Sequence, residues 1–255
     1  MAVAHDSVFT ENIRTGTTDP HEFTHTPAGT LRGVYVGIAQ IGINDEVAGV
    51  SYGGQGMTRV IDVHPNTAED VSAYLYFLGT GIPTGTQTVS VDLTSASATD
   101  FAFVVGGVTA ADDTEVVDFD SFVGLLADPQ TTMNHLGRTC ADFCILSSGN
   151  AAPSGTLVSG TTAVHSQDMG AWMMQSSRNT TPGTADQTMG WTMIAEDAAL
   201  VALAIAEVEG GGGGGATYPG WEGGGWWFRN EEWAHRHEIP LLGEVPVMGE
   251  DRRAA

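Results

Sequence analysis

Residues 71–93, VSAYLYFLGTGIPTGTQTVSVDL, hold the pattern that decides the fold. From Thr88 to Leu93 the apolar residues Val89, Val91 and Leu93 alternate with Thr88, Ser90 and Asp92, the period-2 signature of a strand with one wet face. Val71–Leu78 is apolar on both sides, with Ala73, Leu75 and Phe77 on one face and Tyr74, Tyr76 and Leu78 on the other. A strand of that kind belongs inside a sandwich or beneath a covering layer. Gly79, Gly81, Pro83 and Gly85 supply turn chemistry between the two. The stretch therefore predicts a β-hairpin, with Leu75 and Phe77 on the core and Val89, Val91 and Leu93 across from them.

Working outward, the same grammar recurs. Leu31–Ile43 is a strong strand, and Val47–Tyr52 and Met57–Val63 flank Gly53-Gly54-Gln55-Gly56 as a second hairpin. Phe101–Val108 is another buried strand; Ser121–Asp128 reads as a short helical turn or loop stopped by Pro129. Arg138–Ser147, Thr156–His165, Met169–Gln175 and Gly190–Ile194 follow as strand-like segments. Ala198–Glu207 has helix-permissive residues, but the alternation of Val201, Leu203 and Ile205 favours a strand. Ten to twelve strands with no helical repeat between them predict an all-β antiparallel β-sandwich or jelly roll.

Composition narrows the partners. The chain has 255 residues, 34 glycines and no lysine, its nine cationic residues all being arginine, and a net charge of −22. Phosphate contacts need basic patches, so nucleic acid and anionic membrane are excluded as expected partners. Residues 1–10, MAVAHDSVFT, lack the basic and apolar regions of a signal peptide, and the longest apolar run is strand-sized, so no membrane insertion is expected. Cys140 and Cys144 are the two cysteines; on one strand they stay apart as thiols, whereas a loop between them would permit a bridge.

Three regions follow: an N-terminal arm with an edge strand around Ser7–Arg14 (residues 1–29), a sandwich (30–209), and a glycine linker with an aromatic tail (210–255). Gly210–Gly215 is flexible by composition. Four of the six tryptophans lie beyond it. A short segment cannot bury them alone, so Tyr218, Trp221, Trp226, Trp227, Phe228, Trp233, Leu241 and Leu242 are the expected partner-binding residues.

From Thr24 to Val208 the order of motifs resembles a β-sandwich domain that recurs in bacteriophage virion proteins and bacterial surface proteins. The resemblance rests on HTPAGTLRGVYVGIA (25–39), VAGVSYGGQGMTRV (47–60), the stretch 71–93 and MGWTMIAEDAALVALAIAEV (189–208). It implies a virion location, other virion proteins as partners and homo-oligomers, with host-surface glycan as the alternative ligand. It carries no catalytic set, and the tail falls outside it.

Candidate chemistry is sparse. Asp112, Asp113, Glu115, Asp118 and Asp120 are a Ca²⁺ candidate by oxygen density, but no DxDxDG loop is present and Val116, Val117 and Phe119 interrupt them in strand fashion. The reading taken is a solvated acidic edge. His21, His25, His235 and His237 lack a partner spacing that would fix a metal. There is no GxSxG elbow, and a pairing of Cys144 with His135 or His165 has no flanking support. Trp172, Trp191, Tyr74 and Tyr76 could stack on sugars, though core packing suits strand aromatics better. The expectation is a non-enzymatic protein without a cofactor.

Overall fold

The structure, a computed structural model, describes residues 2–42, 44–64, 71–94, 99–126, 128–149, 155–170, 172–193 and 196–208. All regular elements among them are strands. The first half contributes β1 (Ala4–His5), β2 (Thr10–Arg14), β3 (His21–His25), β4 (Gly33–Ile41), β5 (Val47–Tyr52), β6 (Gln55–Gly56), β7 (Thr58–Val63), β8 (Val71–Leu78), β9 (Gln87–Leu93) and β10 (Phe101–Thr109). The second half contributes β11 (Thr114–Leu126), β12 (Gln130–Met133), β13 (Cys140–Ser148), β14 (Thr156–Leu157), β15 (Thr161–Asp168), β16 (Met173–Asn179), β17 (Gln187–Thr192) and β18 (Glu196–Glu207).

These strands build four layers. β1 and β2 share one edge of a large sheet that continues β10-β4-β8-β7, and β3-β9-β5-β6 covers its outer face. In the second half β11-β18-β13-β16-β15 is the large sheet and β12-β17-β14 the small one. The two large sheets face each other across a core of Tyr35, Ala39, Ala73, Leu75, Phe77, Phe143, Ile145, Val201 and Leu203, among others. A second core lies between the first large sheet and its cover, and a third between the second large sheet and its cover. Both large sheets are thus buried on both faces, which is why β4, β8 and β18 read as mostly apolar runs, with Gln40, Ser72 and the acidic ends of β18 as exceptions.

One strand order is used twice. If β1/β2, β3, β4, β5, β6/β7, β8, β9 and β10 are taken as positions one to eight, the large sheet runs one-eight-three-six-five and the small sheet two-seven-four, with the two-residue β6 of position five added at its edge. β11 to β18, numbered the same way, repeat both orders. β7 of the first half packs over β11 of the second, and β4 over β13. At the opposite edge Glu11 of β2 meets His165 of β15 at 2.5 Å. Position one of each half lies over position five of the other, the relation that a two-fold axis produces between subunits. The joint is tight at its centre. Tyr35 stacks on Phe143 with ring centroids 4.4 Å apart, and a Cβ on Gly37 would lie 3.0 Å from Phe143 and 3.1 Å from Ile145.

The all-β sandwich reading holds, and its local pairings need four corrections. First, β8 and β9 are not a hairpin: β8 pairs with β4 and β7, β9 with β3 and β5. The Gly/Pro segment 79–86 arches from one sheet to the next, across layers spaced about 10 Å apart. Leu75 and Phe77 accordingly face the other half of the body, while Val89, Val91 and Leu93 pack with Tyr74 and Tyr76. Second, β5 turns at Gly53-Gly54 into the two-residue β6, after which β7 crosses to the large sheet. Third, Ser121–Leu126 is strand, not a turn, because β11 runs beside β18 from Thr114↔Glu207 to Leu126↔Glu196. Fourth, the N-terminal segment supplies three strands rather than one. Residues 210–255 lie outside the described residues, and with them all eight expected partner-binding side chains.

Candidate functional site

Two polar centres stand out by the number of charged and titratable side chains they bring together. The first is organised by Arg59 on β7. Its Nε donates to Tyr76 Oη at 2.8 Å, one terminal nitrogen donates to Asp45 Oδ2 at 2.6 Å, and the other to the carbonyl of Val47. The guanidinium also lies over the rings of Tyr74 and Tyr76, 5.6 and 5.5 Å from their centroids. Burial works against its charge, yet the Asp45 and Tyr76 bonds hold it above the ordinary arginine value. Burial in turn pushes the Tyr76 hydroxyl up to about 12.

Beside it Asp45, Asp62 and His64 offer ligand atoms within 4.8 Å of one another. That spacing suits a divalent ion, but the same Arg59 nitrogen sits 2.6 Å from Asp45 and 3.6 Å from Asp62. The positive charge between the carboxylates is the chain's own guanidinium, so the residues do not fit a metal. Ser72, His64 and Asp62 also imitate a hydrolase triad: His64 Nδ1 is 3.0 Å from Ser72 Oγ and Nε2 is 2.8 Å from Asp62 Oδ2. Ser72 Oγ, however, donates to the carbonyl of Gly42 at 2.5 Å, so His64 Nδ1 must carry the hydrogen that reaches the serine oxygen. A general base needs a lone pair there, and Ser72 is fully buried. The trio is a structural network.

The second centre is a buried hydrogen-bond chain across the joint of the two halves. Tyr35 Oη on β4 lies 3.3 Å from His5 Nδ1, and His5 Nε2 lies 2.8 Å from Asn179 Oδ1. Asn179 Nδ2 donates to Asp142 Oδ2 at 2.9 Å and to the Cys140 carbonyl. His135 Nε2 then bonds both Asp142 oxygens at 2.9 and 3.0 Å, and His135 Nδ1 bonds the carbonyl of Gly183 at 2.7 Å. His5 has a hydroxyl to accept from and an amide oxygen to donate to, so it is satisfied as a neutral ring. His135 Nδ1 donates to the Gly183 carbonyl, and Nε2 shares a hydrogen with the Asp142 carboxyl, whose own pKa burial raises. Burial and the neighbouring Arg178 accordingly lower the His5 pKa to about 4. Burial opposes the charge on His135 but the Asp142 carboxylate wins, raising its pKa. Sequence reasoning passed over this pair. Its signal was Asp142 alone inside the apolar run CADFCIL, where an ionised side chain has to find a partner.

The acidic run does not converge. Glu115 bonds Arg138 at 2.7 Å, Asp118 Oδ2 accepts from the Asn134 amide at 2.7 Å, and Asp120 accepts from Thr131. β11 is the edge strand of its sheet, and Asp112 and Asp113 lie in the exposed turn before it. Cys140 and Cys144 are buried free thiols, each pushed up to about 12 chiefly by burial, and Cys144 Sγ contacts Ser177 Oγ rather than a histidine. Trp172, Trp191, Tyr74 and Tyr76 are all buried and make no sugar platform. His21 and His25 lie on β3, where His21 stacks on Phe103 and His25 sits 3.3 Å from Tyr52 Oη. His235 and His237 fall outside the described residues. Comparison of the chain with protein-family models, curated proteins and solved structures finds no match.

Proposed function

We propose that this chain is a non-enzymatic structural protein of a phage-like virion, a head decoration, fibre or tail component. In this reading the doubled sandwich is the body, and the segment beyond Gly210–Gly215 holds it on neighbouring subunits. The observation that carries the reading is the strand order used twice, one-eight-three-six with two-seven-four, which is jelly-roll order. Jelly rolls serve viral capsids and lectins. The lectin alternative loses its aromatic candidates to the core. The capsid-type alternative gains the tail aromatics, since each fully buried tryptophan contributes about 2–3 kcal/mol. The chain's 31 acidic residues fit a body that resists non-specific association.

The test is deletion of residues 210–255. The truncated chain is expected to remain a folded, soluble sandwich that no longer enters particles, and to bind nothing on a glycan array. Normal incorporation of the truncated chain sinks the anchoring reading; glycan binding by it replaces that reading with a receptor-binding one.

A further inference from the structure

The turn Asn134–Arg138 carries a feature that neither packing nor backbone preference accounts for. Leu136 has φ +53° and Gly137 φ +77°, and the Arg138 amide donates to the His135 carbonyl at 2.9 Å. Two central residues with positive φ make a type I′ turn, a place that Asn-Gly or Gly-Gly fills without strain. The β5–β6 turn of the first half obeys that rule with Gly53 and Gly54, at φ +58° and +80°. Here a leucine stands instead, the one non-glycine with positive φ among the described residues. It is also 65% exposed, the most exposed large hydrophobic side chain among them.

The turn is held from every side. Leu136 N donates to Asn134 Oδ1 at 3.0 Å, Asn134 N to Asp118 Oδ2 at 2.7 Å, and His135 N to Asp186 Oδ1 at 3.0 Å. The imidazole of His135 is anchored in the interior by Asp142, and Arg138 is tied to Glu115. A strained, exposed leucine held in place by the bonds around it is an outlier from which a contact role follows.

We propose that Leu136 is a docking knob, and that its seat is an apolar pocket rimmed by Lys or Arg on a different protein of the particle. The proposal rests on the virion reading above. Charge selects the occupant: the carboxylates of Asp118, Asp186 and Glu115 hold the turn, and a second copy would bring the same excess of 31 acids over nine arginines.

Two measurements on the full chain test it. Leu136→Asn, which suits a positive φ, is expected to raise the melting temperature by about 2–4 °C and to lower particle occupancy about tenfold. A fall in melting temperature means that the leucine serves the fold, and overturns the proposal. A diazirine analogue of leucine at position 136 is expected to crosslink, in assembled particles, to a peptide of another protein that carries basic residues. Crosslinks to copies of this chain, or quenching by solvent alone, overturn the knob while leaving the virion reading intact. Failure of the unsubstituted chain to enter particles overturns both.

Discussion

The first and second halves of the body repeat one strand order, yet the Arg59 network of the first and the His135–Asp142 pair of the second lie at different depths. In the first half the ionic centre is at the rim, where Arg59 joins Asp45 and Asp62 with a quarter to a half of each side chain exposed. In the second half it is inside, where His135 and Asp142 are 1% and 0% exposed. The solvent-accessible carboxylates of Asp45 and Asp62 can exchange their bonds for water, so little stability depends on the rim ion pairs themselves. The interior pair cannot, because a lone charge at that depth has no solvent to replace its partner. A fold used twice therefore fixes where the strands go, not where polar groups are tolerated. The second half has turned its interior position into an anchor for the turn that displays Leu136.

The largest expected effect breaks the interior member of this comparison. Asp142→Ala leaves His135 facing only Gly183 and should cost about 3–5 kcal/mol. The mirror-image removal at the rim, Asp45→Ala, should cost about 1 kcal/mol or less. Chemical denaturation of the two variants checks the contrast; equal losses would mean that depth is not what separates the halves. Next in size is the joint. Gly37→Val forces a side chain against Phe143 and Ile145 and should cost about 1–3 kcal/mol. Because the joint is shared, the loss should appear as one cooperative transition for both halves. Two separated transitions would show sandwiches that unfold independently.

The gentlest perturbation is acid. His5 titrates near 4 when folded against an ordinary 6.5, so below about pH 6.5 the unfolded chain binds the extra proton. Stability should fall from there down to about pH 4, by at most about 1.4 kcal/mol per pH unit for this one group, and then level off. His135, raised by Asp142, has the opposite sign: its contribution is complete below its ordinary value and is lost as pH rises through the elevated one. His5→Gln should make the acid limb shallower, the lowered His21, His25 and His165 keeping the rest of it, and leave the alkaline limb unchanged, which denaturant titrations across the pH range would resolve.

Much of this architecture is legible in the residues, and the illegible part has a physical cause. The two-sided apolar character of Val71–Leu78 announces a strand covered on both faces, the alternation of Val201, Leu203 and Ile205 marks Ala198–Glu207 as strand rather than helix, and both are central strands of doubly buried sheets. The alternation of Val89, Val91 and Leu93 correctly gives β9 one wet face. What the residues between them do not say is whether Gly79–Thr86 folds back within a sheet or arches between two, since both need the same turn chemistry. The duplication is likewise silent, because a sandwich constrains the alternation of apolar residues but not their identities. Of the candidate site, the acidic edge on β11 was readable from its charges, while the His135–Asp142 pair joins residues that only the pairing of β13 with the preceding turn brings together.

The central claim, that the body is carried by its tail, is tested most directly in the full-length chain with Trp226, Trp227, Phe228 and Trp233 all changed to alanine. Particle occupancy and melting temperature would be measured on the same preparation. The account predicts an unchanged melting temperature and a loss of occupancy of at least about a hundredfold, about 2.7 kcal/mol. Normal occupancy, or a lowered melting temperature showing that these aromatics belong to the body's own core, would contradict it.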